Sequence, residues 1–137
     1  MSEPVSQVPP PPASVLVVDD NPSVTRAMSA LLRNAGFDPI GCECGKDALE
    51  RTNDFTPDAA VVDVHLPDIN GLILAQKLRD RFGESTPIIV VSGDTSMETL
   101  KSLSHVGATY FFSKPINSGM LVERLKALIS RDETPEA

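Results

Sequence analysis

A doubly wound α/β fold, a parallel sheet with helices on both faces, is predicted by three observations. Short apolar runs recur along the chain: Val15-Leu16-Val17-Val18, Ala59-Ala60-Val61-Val62 and Ile88-Ile89-Val90-Val91. Continuous apolarity marks strands buried on both faces, as in parallel sheets. Between the runs, apolar residues fall three and four apart, the spacing of helices. Short links then give five β-α units.

The elements follow in order. The first strand covers residues 15–20. Asn21 is placed to cap a helix and Pro22 to open it. That helix, about residues 22–35, carries Val24, Ala27, Met28, Leu31 and Leu32 on one face, and Gly36 stops it. The second strand, about 38–43, has Cys42 and Cys44 alternating along it. A short helix over 46–52 turns Ala48 and Leu49 inward. The third strand, 59–64, reaches an acid, Asp63. The third helix, about 71–82, spaces Leu74, Leu78 and Phe82 by four. The fourth strand, 87–92, ends at Ser92 with Gly93 beyond. The fourth helix, about 96–105, has a thin apolar pattern of Met97, Leu100 and Leu103. The fifth strand, 109–113, runs into Lys114-Pro115. The fifth helix, about 118–130, has Leu121, Leu125, Leu128 and Ile129 on one side. Right-handed crossovers leave few topologies. A flavodoxin-like order, 2-1-3-4-5, is expected, with the carboxyl ends of strands one, three, four and five on one edge.

The 137 residues suit one domain, and 41% hydrophobic with 23% charged residues is ordinary for a globular protein. A net charge of −7 argues against direct binding to nucleic acid or to anionic membrane. Residues 1–13, with five prolines, read as a leader or linker, 14–131 as the folded domain and 132–137 as a polar tail. No apolar run suits a bilayer and no signal-peptide pattern opens the chain. The cysteine spacing matches neither a redox pair nor a zinc set, so both read as small residues on one strand face. A cytoplasmic location is expected.

Two adjacent acids, Asp19 and Asp20, end the first strand. Alone they fit either a solvated strand end or a cation site. The other strand ends sharpen this: Asp63, Ser92 and Lys114 fall on the same edge. Three acids, a hydroxyl and a lysine there suggest phosphoryl transfer to a carboxylate. Mg2+ would relieve the repulsion between anions, held by Asp19 and Asp20. Lys114 and the Ser92 hydroxyl would each hold a phosphoryl oxygen.

Four motifs carry a resemblance: Val-Leu-Val-Val-Asp-Asp-Asn, Asp63-Val-His-Leu-Pro67-Asp-Ile-Asn-Gly71, Val-Val-Ser92-Gly-Asp and Gly107-Ala-Thr-Tyr-Phe-Phe-Ser-Lys114-Pro115. The chain resembles the receiver domains of two-component response regulators, the CheY-like family, over about residues 14–131. The resemblance implies that Asp63 is the phosphoacceptor. It implies that Asp19, Asp20 and Asp63, with the backbone carbonyl of His65, bind Mg2+. Ser92 becomes the switch hydroxyl, Lys114 the family's lysine and Phe111 the aromatic switch; the Lys114-Pro115 bond becomes cis. Phosphorylation would reshape the face of helix four, strand five and helix five. The implied partners are a histidine kinase or phosphotransfer domain and a downstream effector or output domain, with a homodimer through that face among the arrangements left open. The implied role is self-phosphorylation and dephosphorylation, not catalysis on other substrates.

Some residues depart from the family pattern. His65, two past the acceptor, reads either as a tuner of dephosphorylation or as a rim histidine. Asn70 stands where an acid is common and suits an N-cap. Phe111 lacks a hydroxyl, so a switch there acts by packing. The rival readings are a phosphatase of the haloacid-dehalogenase type, a flavin carrier and a degenerate receiver that only binds partners. The first wants Asp-x-Asp after strand one, and the second would not place acids beside a flavin phosphate.

Overall fold

A computed structural model describes residues 11–129. Residues 1–10 of the expected leader and the 132–137 tail lie outside the described residues, as do residues 130 and 131. The elements are β1 (Ser14–Val18), α1 (Pro22–Asn34), β2 (Asp38–Cys42), α2 (Gly45–Arg51), β3 (Ala59–Asp63), α3 (Gly71–Phe82), β4 (Ile88–Ser92), α4 (Met97–His105), β5 (Tyr110–Ser113) and α5 (Ser118–Ile129). Five parallel strands are ordered β2-β1-β3-β4-β5, the flavodoxin-like order. Ala13 packs on the core, and its carbonyl accepts the Asp38 N–H at 2.8 Å.

Strand side chains alternate between two faces, and the core divides accordingly. Val15, Val17, Val61, Ile89 and Val91 pack with Met28 and Leu32 of α1 and Leu121 and Leu125 of α5. Leu16, Val18, Val62, Ile88 and Val90 pack with Ala48 of α2 and Leu74 and Leu78 of α3. Every residue of β3 and β4 is buried, which explains their unbroken apolar runs.

Three local differences from the sequence reading have physical causes. β1 ends at Val18 because the Asp19 carboxylate turns back to accept the Asn21 N–H at 3.0 Å, starting the turn into α1. Cys44 leaves β2 and becomes the N-cap of α2. There the Asp68 carboxylate accepts the Gly45 and Lys46 N–H groups at 2.9 and 2.8 Å, so the helix starts at Gly45. The buried face of α1 is Thr25, Met28 and Leu32, while Ala27 stays exposed and Val24 and Leu31 half-exposed.

α4 is the least anchored helix by its apolar residues: Met97 is 68% exposed and Leu100 39%, leaving Leu103 to pack on the core.

Candidate functional site

Asp19 follows β1 and Asp63 closes β3, neighbouring strands at the carboxyl edge of the sheet. Both are buried, each 5% exposed, while Asp20 is exposed. The three carboxylates each offer an oxygen within 4.8 Å of the others. Lys114 Nζ lies 3.2 Å from Asp19 Oδ2 and 3.3 Å from Asp63 Oδ2. Three carboxylates against one ammonium leave the cluster negative. Hard oxygen donors so arranged fit a cation such as Mg2+.

Burial drives the Asp63 carboxyl above the ordinary carboxylate range. Lys114 opposes this, and the charge on Asp19 adds to it. The Lys114 ammonium is pulled down by its own burial, but Asp63 and Asp19 outweigh that and its pKa rises. The site therefore holds a reluctant anion beside a firmly charged cation.

Backbone contacts fix the acids. Thr25, buried on α1, donates its hydroxyl to the Asp19 carbonyl at 3.0 Å. The His65 N–H donates to Asp63 Oδ1 at 3.3 Å, and the His65 side chain is exposed. Gly71 opens α3 against the end of β3, its N–H donating to the Val64 carbonyl at 2.7 Å. A Cβ at Gly71 would run into the Asp63 carbonyl and stand 2.6 Å from Val64 Cα, so only glycine permits this approach. Asn70 caps α3 as its type suggests, accepting the Leu72 N–H at 2.7 Å.

Ser92 is fully buried at the end of β4, and its Oγ accepts the Asp94 N–H at 2.9 Å. Its carbonyl accepts the Lys114 N–H at 2.9 Å, tying the lysine to the same edge. The Lys114-Pro115 bond is cis. Phe111 lies on β5, half-buried on the core beneath α2 and α3. The edge thus gathers Asp19, Asp20, Asp63 and Lys114, with Ser92 one residue beyond the Asp63↔Val91 pairing.

Several contributors escape a reading of the sequence. Thr25 reads as a polar interruption of the α1 stripe. Asp94 and Thr99 bracket Ser96, and Asp-x-Ser before a helix was the available signal. The apolar face of α1 is wider than its buried part. Val24, Ala27 and Leu31 instead line a groove of about 530 Å³ with Pro115, Ile116 and Leu121, and Lys114 stands among its lining residues.

Comparison with known proteins adds to this geometry. The model of the response regulator receiver domain matches residues 15–126. The DNA-binding response regulator MtrA of Mycolicibacterium smegmatis is 32% identical over 90% of this chain and 53% of its own length. The transcriptional regulatory protein TrcR of Mycobacterium tuberculosis is 30% identical over 88% of this chain and 46% of its own. The chain spans about half the length of these curated relatives. Chemotaxis response regulator CheY4 of Vibrio cholerae superposes with a TM-score of 0.78 at 30% identity, covering 85% of this chain and 98% of that one.

Proposed function

Because this chain belongs to the response regulator receiver domain family, we propose that it is a phosphorylation-operated signalling module whose acceptor is Asp63. The observation that carries the reading is the buried Asp63 carboxylate, held by Lys114 Nζ and facing Asp19 and Asp20. An Asp63 carboxylate oxygen forms the bond to phosphorus, and the phosphorus–nitrogen bond of a phosphohistidine donor breaks. The electron pair of that bond goes to the departing nitrogen, and the imidazole, protonated on its other ring nitrogen, leaves neutral. Asp19, Asp20 and Asp63, with the His65 carbonyl, would hold Mg2+. Bound there, the ion offsets the charge of the incoming phosphoryl oxygens. Lys114 shifts from Asp63 to a phosphoryl oxygen as the Asp63 carboxylate becomes an acyl phosphate. The Ser92 hydroxyl donates to another, and Phe111 repacks on the space it leaves.

The partners of this reading are a histidine kinase or phosphotransfer domain upstream and an effector or output domain downstream. The groove beside α1 suits the donor's docking, because it is mostly apolar and Lys114 is among its lining residues. The face of α4, β5 and α5 would carry the output, including any homodimer. MtrA is described as DNA-binding, but a net charge of −7 gives this chain no electrostatic footprint for nucleic acid. Among the described residues no helix is long and apolar enough to cross a membrane, and the proposed setting is the cytoplasm. The module acts on no substrate beyond its own aspartyl phosphate. The exposed His65 borders the site, and its role is read from the phosphoaspartate lifetime in His65→Ala; an unchanged lifetime makes it a bystander.

The test is incubation with Mg2+ and acetyl phosphate, followed by intact mass. One added phosphoryl group, absent in Asp63→Asn, is expected. No gain from any donor identifies a degenerate, binding-only receiver, and multiple turnover of phosphate esters identifies a phosphatase.

A further inference from the structure

Ser92 and the first turn of α4 share one residue. Asp94 donates its backbone N–H to Ser92 Oγ at 2.9 Å. Its side chain is engaged at the other end: Oδ1 accepts the Ser96 N–H at 2.9 Å and Oδ2 accepts the Thr99 hydroxyl at 2.9 Å. The Thr99 hydroxyl also lies 3.2 Å from Ser96 Oγ, and Ser96 Oγ accepts the Thr99 N–H at 3.3 Å. Ser96 is the N-cap of α4 and Thr99, 9% exposed, is a buried polar residue of its first turn. The Ser96 N–H first, then the Thr99 hydroxyl, hold the Asp94 carboxyl below its ordinary range, so it remains a charged acceptor.

We propose that Asp94 is the positioning residue that passes movement of the Ser92 hydroxyl to helix α4. This rests on the phosphoacceptor reading of Asp63. A hydrogen bond tolerates only about half an ångström of stretch. If Ser92 Oγ turns toward a phosphoryl group, either the Asp94 N–H follows and drags the carboxylate off the α4 cap, or it loses its acceptor. Gly93 is exposed, and a Cβ built there would meet nothing within 4 Å, so no side-chain packing clamps the backbone on that side of Ser92. With Met97 68% and Leu100 39% exposed, α4 has little apolar anchorage to resist loss of a cap.

The experiment compares the full chain with Asp94→Ala, Thr99→Val and Ser96→Ala. Asp94→Ala and Thr99→Val cut the side-chain end of the link. Ser96→Ala weakens the cap but leaves the Asp94 bonds to the Ser96 N–H and the Thr99 hydroxyl. Intact mass reads phosphoryl uptake from acetyl phosphate with Mg2+, and amide hydrogen exchange reads residues 97–100 before and after. All four proteins are expected to take up one phosphoryl group. Exchange in wild type and Ser96→Ala is expected to rise by roughly fivefold on phosphorylation, as on loss of one capping bond. In Asp94→Ala and Thr99→Val it is expected to be fast beforehand and unchanged afterwards. Thr99→Val, near-isosteric, carries the test if Asp94→Ala does not fold. The proposal is overturned if both variants respond as wild type does, if Ser96→Ala loses the response too, or if phosphorylated wild type shows none. No phosphoryl uptake by wild type overturns the reading of Asp63 itself, and the proposal with it.

Discussion

Lys114 Nζ stands 3.3 Å from Asp63 Oδ2, and the same ammonium reaches Asp19 Oδ2 at 3.2 Å. One cation thus holds two buried carboxylates from neighbouring strand ends. Removing it in Lys114→Met leaves them facing each other unpaired. A fully buried pair broken this way costs about 3–5 kcal/mol. The Lys114 side chain is 33% exposed, and solvent screening brings the expected loss to about 1–2 kcal/mol. Urea denaturation with and without Mg2+ checks it, the ion restoring part of the loss.

Asp63 itself opposes the fold once ionised. Its pKa is raised by burial, with Asp19 adding and Lys114 opposing. The protonated form is therefore favoured in the folded state. That contribution is complete below the unfolded carboxylate pKa and is lost as pH rises through the raised folded value. Asp63→Asn never ionises, so its melting temperature should exceed that of wild type at neutral pH. The gap should close toward acid. Thermal melts across pH measure it, and an Asp63→Asn protein less stable than wild type at neutral pH would contradict it.

Gly71→Ala tests how the proposed acceptor is positioned. The added methyl meets the Asp63 carbonyl and Val64 Cα, both backbone and unable to rotate aside. Overpacking of this kind costs about 1–3 kcal/mol. Reduced phosphoryl uptake should accompany the stability loss, because the turn that moves bears Asp63.

A charge in the groove proposed for docking would separate docking from chemistry. Ala27→Glu puts a charge on its exposed wall, at a residue that is not part of the carboxylate cluster. Transfer from a phosphotransfer protein that labels wild type should fall by about tenfold or more, the cost of burying an unpaired charge at a contact. Labelling by acetyl phosphate should be unchanged. Equal loss with both donors would place the fault in the site rather than in docking.

Much of this was legible in the sequence. Buried strands must be apolar throughout, so acids, a hydroxyl and a lysine at the ends of β1, β3, β4 and β5 stood out against them. The topology then brought them together. What escaped notice works through contacts without a periodic trace. Thr25 reads as a break in a helix stripe, yet its hydroxyl supports the Asp19 carbonyl. Asp68 reads as a loop acid, yet it sets where α2 begins. The stripe of α1 is wider than its buried face, and periodicity alone does not tell core from an open groove.

The phosphoacceptor reading requires that Asp63, and neither Asp19 nor Asp20, form the bond to phosphorus. Borohydride reduction converts an aspartyl phosphate to homoserine, and peptide mass spectrometry then reads which position was esterified. After treatment with acetyl phosphate and Mg2+, homoserine is predicted at position 63 alone. Homoserine at 19 or 20, or none in a protein that has gained a phosphoryl group, would contradict it.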